Sequence, residues 1–298
     1  MDQSRLVKSV GVTGGVTGQV TLDVKRKVEI SLLIPARQAV DSLENTLTQA
    51  HAFLSLIYPV NPPSSPRFEI IIITNPRPGD TTDLTESVAL ELQNRFSGVH
   101  VVHHLFPPGK GAALRAGFRA SSGRTIFFTD ADLPYDLEFF SSALKLLQSG
   151  EADLVIGNRR LPESLFDLPV ELLAQANQRH RLGVLFNRVS CFLMPMLDTK
   201  DSQAGIKAMH RSLAVEAFRR QVCPGFYFDI ELLLTARGMG LSVQELPVTH
   251  RLSSGKSTVW IAWELTLALS WLIRITVRSN LGAYGSEARL SLPERDYT

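Results

Sequence analysis

The ten residues TIFFTDADLP, Thr125 to Pro134, pass from a β-branched and aromatic run straight into two carboxylates one residue apart. In an open α/β sheet, ligands bind beyond the carboxyl ends of the strands. A strand that ends in Asp130-Ala131-Asp132 therefore puts hard oxygen donors where a ligand would sit. Carboxylates so spaced suit Mg²⁺ or Mn²⁺, with water and substrate phosphates filling the remaining positions. The same short spacing is met by aspartates that shape a turn and cap the next helix, so both readings stand at this point.

Working outward from this strand, short β-branched runs alternate with stretches of helical period, the pattern of a sheet built from βα units. Strands are expected at Glu29 to Ile34, closed by Pro35, at Phe68 to Thr74 and at Val99 to His103. FEIIIIT, the second of these, is almost continuously apolar, as a strand buried on both faces would be. Helices are expected over about 40–56, 82–96, 112–120 and 137–148, and a further strand over 153–156. In the second half a long helical segment covers about 171–196, with strands near 204–209 and 241–246 and helices over 213–219 and 229–237. The expected class is α/β, a mostly parallel sheet flanked by helices.

Composition agrees with one generous globular domain: 298 residues, 44% hydrophobic and 20% charged. The 31 Lys and Arg against 29 Asp and Glu leave +2, too small a field to draw in nucleic acid. Only Cys191 and Cys223 are present, which argues against a disulfide framework. The opening residues lack a basic-then-apolar export signal, which sets the expectation of a cytoplasmic chain. Residues 1–27 read as an N-terminal arm without assigned chemistry, and 279–298 as a polar tail.

Two further features bear on anions. Pro107-Pro108-Gly109-Lys110-Gly111 lies between a strand and a helix; glycines there would let the backbone approach a phosphate at the helix N-terminus, with Lys110 adding a charge. An ordinary Pro/Gly turn is the alternative. Arg159, Arg160, Arg179, Arg181, Arg251 and Lys256 stand near segment ends, where arginines suit bidentate phosphate contacts.

Taken in order, VEISLLIPA (28–36), GKGAALRAG (109–117), FFTDADLP (127–134), DLVIGNRR (153–160), RLGVLFN (181–187), DSQAGIKAMHR (201–211), FDIELL (228–233) and LPVTHRLSSGKS (246–257) form a set. The chain resembles the inverting family 2 glycosyltransferases of the GT-A fold, in the branch of dolichyl-phosphate mannose synthase, dolichyl-phosphate β-glucosyltransferase and their polyprenyl-phosphate relatives. The resemblance implies a GT-A domain over 28–258 and transfer of a hexose from a UDP-glucose or GDP-mannose type donor to a polyprenyl or dolichyl phosphate, with Mg²⁺ or Mn²⁺. It implies that Pro35, Ala36, Asn75, Lys110, Asp130, Ala131 and Arg251 bind the nucleotide, and that Asp130 and Asp132 hold the metal. Arg159, Arg181, Gln203 and Lys256 would meet the acceptor phosphate. Asp132, Asp229 and Glu231 would be catalytic, and Asp201, Gln203 and Gly205 would shape the acceptor floor.

This sequence departs from the family pattern in three places. Arg37-Gln38 stands where Asn-Glu is usual, and the second strand ends in Thr74-Asn75-Pro76 instead of paired aspartates. Asn75 offers a donor as well as an acceptor, where a carboxylate only accepts, so the base is left open. Val184 replaces a frequent serine. On this resemblance two alternatives remain beside the lipid phosphate: a soluble or glycan hydroxyl acceptor, and a nucleotide-sugar-binding protein without catalysis. The nucleophile separates the first from the lipid reading. A hydroxyl needs a carboxylate base, the role Asp229 would fill. A lipid phosphate, with a second pKa of about 6, arrives largely ionised.

The last apolar stretch, Trp260 to Val277, carries Glu264 and Arg274 and is short for a spanning helix. At helical spacing Trp260, Trp263, Leu267, Trp271, Arg274 and Arg278 fall on one side. Ile261, Leu265, Leu269, Leu272 and Ile273 fall on the other. The helix over 259–278 is therefore expected either to rest on a membrane surface or to pack between the domain and a second subunit.

Overall fold

A computed structural model describes residues 28–58, 67–167, 184–251 and 261–285. The elements run β1 (Ile30–Ala36), α1 (Val40–Ile57), β2 (Phe68–Thr74), α2 (Thr85–Arg95), β3 (Val99–His103), α3 (Lys110–Ala120), β4 (Thr125–Phe128) and α4 (Glu138–Gln148). They continue with β5 (Leu154–Asn158), β6 (Leu165–Asp167), helix α5 over 184–193, β7 (Lys207–His210), α6 (Arg211–Arg220), α7 (Phe228–Gly238), β8 (Val243–Pro247), β9 (Thr249–Arg251) and α8 (Ile261–Asn280).

Seven strands form one sheet in the order β3-β2-β1-β4-β7-β5-β8, with β7 antiparallel to both neighbours and the other pairs parallel. Alternation along the central strands feeds two cores. Leu32, Ile34, Ile70 and Ile72 face the layer of α1, α2 and α4. Leu33, Ile71 and Ile73 face α3, α6, α7 and α8. Burial of each such side chain contributes about 1.5–3 kcal/mol, which is why FEIIIIT reads as a doubly covered strand.

The chain leaves β1 toward β2 on one side and returns through β3 to β4 on the other. This order reversal opens a crevice beyond the carboxyl ends of β1 and β4. Asp130 and Asp132 follow β4 at that mouth.

Several boundaries differ from the expectation for local reasons. Strand β1 continues through Pro35 and Ala36 because β4 pairs with it only as far as Leu33. Pro35 therefore meets β2 alone, in effect on an edge that tolerates a missing N–H. Helix α2 starts at Thr85 instead of about 82, since Asp80 and Asp83 capture the N–H groups of Thr82 and Thr85 in two successive turns. Strand β7 starts at Lys207, later than expected. The small parallel pair β6 and β9 was not foreseen. Of the long helical segment at 171–196, residues 184–193 are helical, while 168–183 lie outside the described residues. So do the N-terminal arm, 252–260 and the tail beyond 285.

Helix α8 buries Leu272 and Ile275 against the second core, buries Ala268 as well, and turns Leu269, Ile273 and Val277 outward. The aliphatic face read as one surface is thus divided, part docked and part exposed. Arg274 lies over the Trp271 ring at 5.2 Å. No helix of the described residues is long and apolar enough to cross a membrane.

Candidate active site

The turn after β4 is closed by Leu133 N–H donating to Asp130 O at 3.1 Å, with Leu133 in the left-handed region at φ 44°. A branched residue held there is strained, and the surroundings fix it. Thr46, buried in α1, donates its hydroxyl to Ala131 O at 2.8 Å. The turn therefore presents its two aspartates in a set direction: Asp132 is exposed, and Asp130 is a third exposed and paired with Lys110.

Lys110 occupies the first turn of α3, aimed across the crevice at Asp130. Burial works against its charge, but Asp130 and then Asp229 outweigh this and raise its pKa. The glycine loop before it does not cradle an anion. The Gly111 and Ala112 N–H groups donate to Gly225 O (3.3 Å) and Pro224 O (2.9 Å), and that of Gly109 donates to Asn75 Oδ1 (2.6 Å). A Cβ on Gly109 would lie 2.8 Å from Pro224 C, and one on Gly111 would lie 2.7 Å from Phe228 Cβ. Gly109 and Gly111 admit the 221–225 loop, which takes the Gly111 and Ala112 donors, while Asn75 takes that of Gly109.

Asn75 is likewise committed within the protein. Its Nδ2 donates to His104 O at 2.7 Å while Oδ1 accepts from Gly109. The side chain ties the ends of β2 and β3 to the α3 loop, a double role that a carboxylate could not fill. Pro35 and Ala36 end β1 beside it, where Asn75 N donates to Ala36 O at 3.3 Å.

The cations of the second half are paired rather than gathered bare. Arg159 meets buried Asp201 through Nε (2.7 Å) and Nη2 (2.8 Å), and Arg159 N–H adds a third bond at 3.0 Å. Although burial opposes it, this contact holds the Asp201 carboxyl below its usual range and raises the pKa of Arg159. Arg160 donates to Lys200 O. Arg251 pairs with Asp136 at 2.5 Å and more loosely with Asp167 at 3.6 Å. Gln203 N–H reaches Asp201 Oδ1 at 3.4 Å, which places Gln203 in the same turn. Arg179, Arg181 and Lys256 lie outside the described residues.

The two carboxylates at the start of α7 separate. Asp229 is buried and accepts from Lys207 Nζ at 2.7 Å; burial pushes its pKa up and that of Lys207 down. Glu231 faces away from the crevice. It accepts from Val222 N (3.0 Å), Cys223 N (2.7 Å) and the Tyr284 hydroxyl (2.7 Å). Consecutive helical positions diverge by about 100° each, so a two-residue spacing puts the pair on different faces. Glu231 thus corrects the catalytic expectation: it organises the 221–225 loop and docks Tyr284.

Three residues at this site were not singled out from the sequence. Lys207 is completely buried, and a lone lysine inside the apolar run IKAM was the available signal. Tyr135 accepts Gly205 N–H at 3.4 Å, and His250 packs on its ring at 5.2 Å. Burial, aided by Arg159, pushes the His250 imidazole down to about 4, so it is neutral at pH 7. Gly205 itself lies against the Asp130 carboxylate and Lys110.

Among the described residues no group of three or more His, Cys, Asp or Glu is arranged to hold a metal. Asp130 and Asp132 still fit Mg²⁺ or Mn²⁺, because Mg²⁺ is usually bound by one or two carboxylates plus water and substrate phosphates.

Residues 31–168 match the family model described as glycosyl transferase family 2. The chain is 28% identical to glycosyltransferase AglD of Haloferax volcanii, over 85% of this chain and 40% of that protein; it thus spans less than half of that relative. It is 26% identical to the dolichyl-phosphate beta-glucosyltransferase of Drosophila melanogaster, over 89% and 79% of the two chains. Identity to the polyprenol monophosphomannose synthase of Mycolicibacterium smegmatis is 31%, over 62% and 67%. The fold is similar to that of glucosyl-3-phosphoglycerate synthase from Mycobacterium tuberculosis in complex with UDP. There the TM-score is 0.54 and the identity 21%, over 88% of this chain and 82% of that one.

Proposed function

The chain belongs to glycosyl transferase family 2, and from that membership we propose that it transfers a hexose from a nucleotide-sugar to a polyprenyl phosphate with inversion at the anomeric carbon. The donor is of the UDP-glucose or GDP-mannose type. One observation carries the choice of acceptor: Asp229 is buried and hydrogen-bonded to Lys207. Glu231 is bound elsewhere, so neither carboxylate of α7 is presented to an acceptor hydroxyl as a base. A phosphate nucleophile arrives ionised and needs none. The names of the dolichyl-phosphate and polyprenol relatives support the same acceptor.

In this reading Pro35 and Ala36 border the base. Asp130 and Asp132 hold Mg²⁺ or Mn²⁺, which when bound supplies Lewis-acid stabilisation of the leaving diphosphate. Lys110 fixes Asp130 and lends positive charge beside the diphosphate. Arg159, oriented by Asp201, and Gln203 are assigned to the acceptor phosphate, a role that the resemblance also gives Arg181 and Lys256. Arg251, which pairs with Asp136, is assigned to the donor. Pre-set donors around developing charge are the main catalytic means for such a displacement.

The outward row Leu269, Ile273 and Val277 on α8, with Arg274 beside it, supports a peripheral seat on a membrane. The catalytic domain is assigned to 28–258 and the interfacial role to α8, expected over 259–278 and found as Ile261–Asn280. A thermal-shift screen of nucleotide-sugars with and without Mn²⁺ tests the donor half. Metal-dependent stabilisation by one UDP- or GDP-sugar is expected, and stabilisation by none would refute it.

A further inference from the structure

Strand β7 places a lysine inside the sheet. Lys207 is opposite Phe128 in the antiparallel pairing with β4, two residues before Asp130. Its side chain is completely buried, with Nζ 5.5 Å from the Phe128 ring. Two hydrogen bonds hold that nitrogen, one to Asp229 Oδ1 at 2.7 Å and one to Ala204 O at 2.7 Å. Stability alone is a poor reason for this arrangement, since buried ion pairs are often replaced by apolar residues of similar volume at no loss.

Both partners of Lys207 lead to the donor site. Ala204 O belongs to the peptide that continues into Gly205, whose Cα packs against the Asp130 carboxylate and whose N–H donates to Tyr135. Asp229 opens α7, so the same lysine nitrogen ties the first turn of that helix to the Ala204–Gly205 peptide. Lys207 thus fixes the wall behind Asp130 by holding its backbone against α7.

We infer that Lys207 is a positioning residue for donor binding, holding the Ala204–Gly205 peptide and the Asp229 carboxylate so that Lys110 and Asp130 face the diphosphate. This rests on the donor reading given above. Residues one layer behind a metal or substrate ligand commonly change affinity by about 10–100-fold when removed.

The test uses the full chain with UDP and GDP as probes, each with Mn²⁺, and compares wild type with Lys207→Met and the charge-balanced pair Lys207→Met/Asp229→Asn. Calorimetry should show nucleotide affinity falling by about ten-fold or more in the double variant while its melting temperature stays near wild type. Donor KM should rise while acceptor KM is unchanged. A folded double variant that binds as wild type does would overturn the inference and leave the donor reading intact. A wild type that binds neither nucleotide would refute the donor reading itself. If neither variant folds, Lys207 serves the fold alone and the inference fails.

Discussion

Gly205→Ala probes the geometry at Asp130 with a single methyl group. A Cβ on residue 205 would fall within the van der Waals envelope of the Asp130 carboxylate, 2.8 Å from Cγ and 3.1 Å from Lys110 Nζ. Regaining an ordinary separation of about 3.5 Å from the nearer carboxylate oxygen requires the carboxyl group to retreat by roughly 1.5 Å. That movement breaks the Lys110 pair, a charge-assisted contact worth about 1.5–3 kcal/mol. The donor should then bind about 10- to 100-fold more weakly. The fold should survive, because Asp130 is a third exposed and can swing into water. Titration calorimetry with the nucleoside diphosphate and Mn²⁺ reads the affinity, and thermal melting the stability, with a loss of about 3–12 °C expected. Wild-type affinity in a folded variant would refute the placement of Asp130 against the ligand. Unfolding would show that Gly205 matters to the fold alone.

Other perturbations separate structure from chemistry. Glu231→Leu should destabilise by about 3 kcal/mol, because two N–H groups and the Tyr284 hydroxyl lose their acceptor, yet spare donor affinity; chemical denaturation and calorimetry together check this. Asn75→Asp should lower stability by about 1–3 kcal/mol in denaturation, since a carboxylate faces the His104 carbonyl and no longer donates to it. His250 has a folded pKa of about 4, below its unfolded value of about 6.5. The unfolded chain therefore binds more protons between these values, and stability should fall as pH drops from 6.5 to 4. Discounted for the part of the ring that meets water, the loss is about 2 kcal/mol. His250→Phe should flatten that dependence in melts taken from pH 7 to pH 4.5, and an unchanged slope would assign it elsewhere.

The order of β and α elements was legible because each central strand is a nearly unbroken apolar run closed by turn residues. Asp130 and Asp132 were legible because they follow such a run directly. What escaped depends on long-range pairing. The antiparallel insertion of β7 between β4 and β5 carries Lys207 to Asp229, and local sequence period does not report strand neighbours. The glycine loop misled for a related reason: its backbone donors suit a phosphate locally, but residues 224–225 arrive from far along the chain and take them. Likewise Glu231 differs from Asp229 only by helix rotation. The pairing of Arg159 with Asp201 required the folded turn at 199–203 to become visible.

On this reading a lipid phosphate is the nucleophile and neither carboxylate of α7 activates it. Purified protein incubated with radiolabelled UDP-glucose or GDP-mannose, Mn²⁺ and either polyprenyl phosphate or the matching polyprenol tests this directly. The account predicts lipid-extractable sugar with the phosphate and none with the alcohol. Label transferred to the alcohol or to a soluble hydroxyl acceptor, with none on the phosphate, would contradict it.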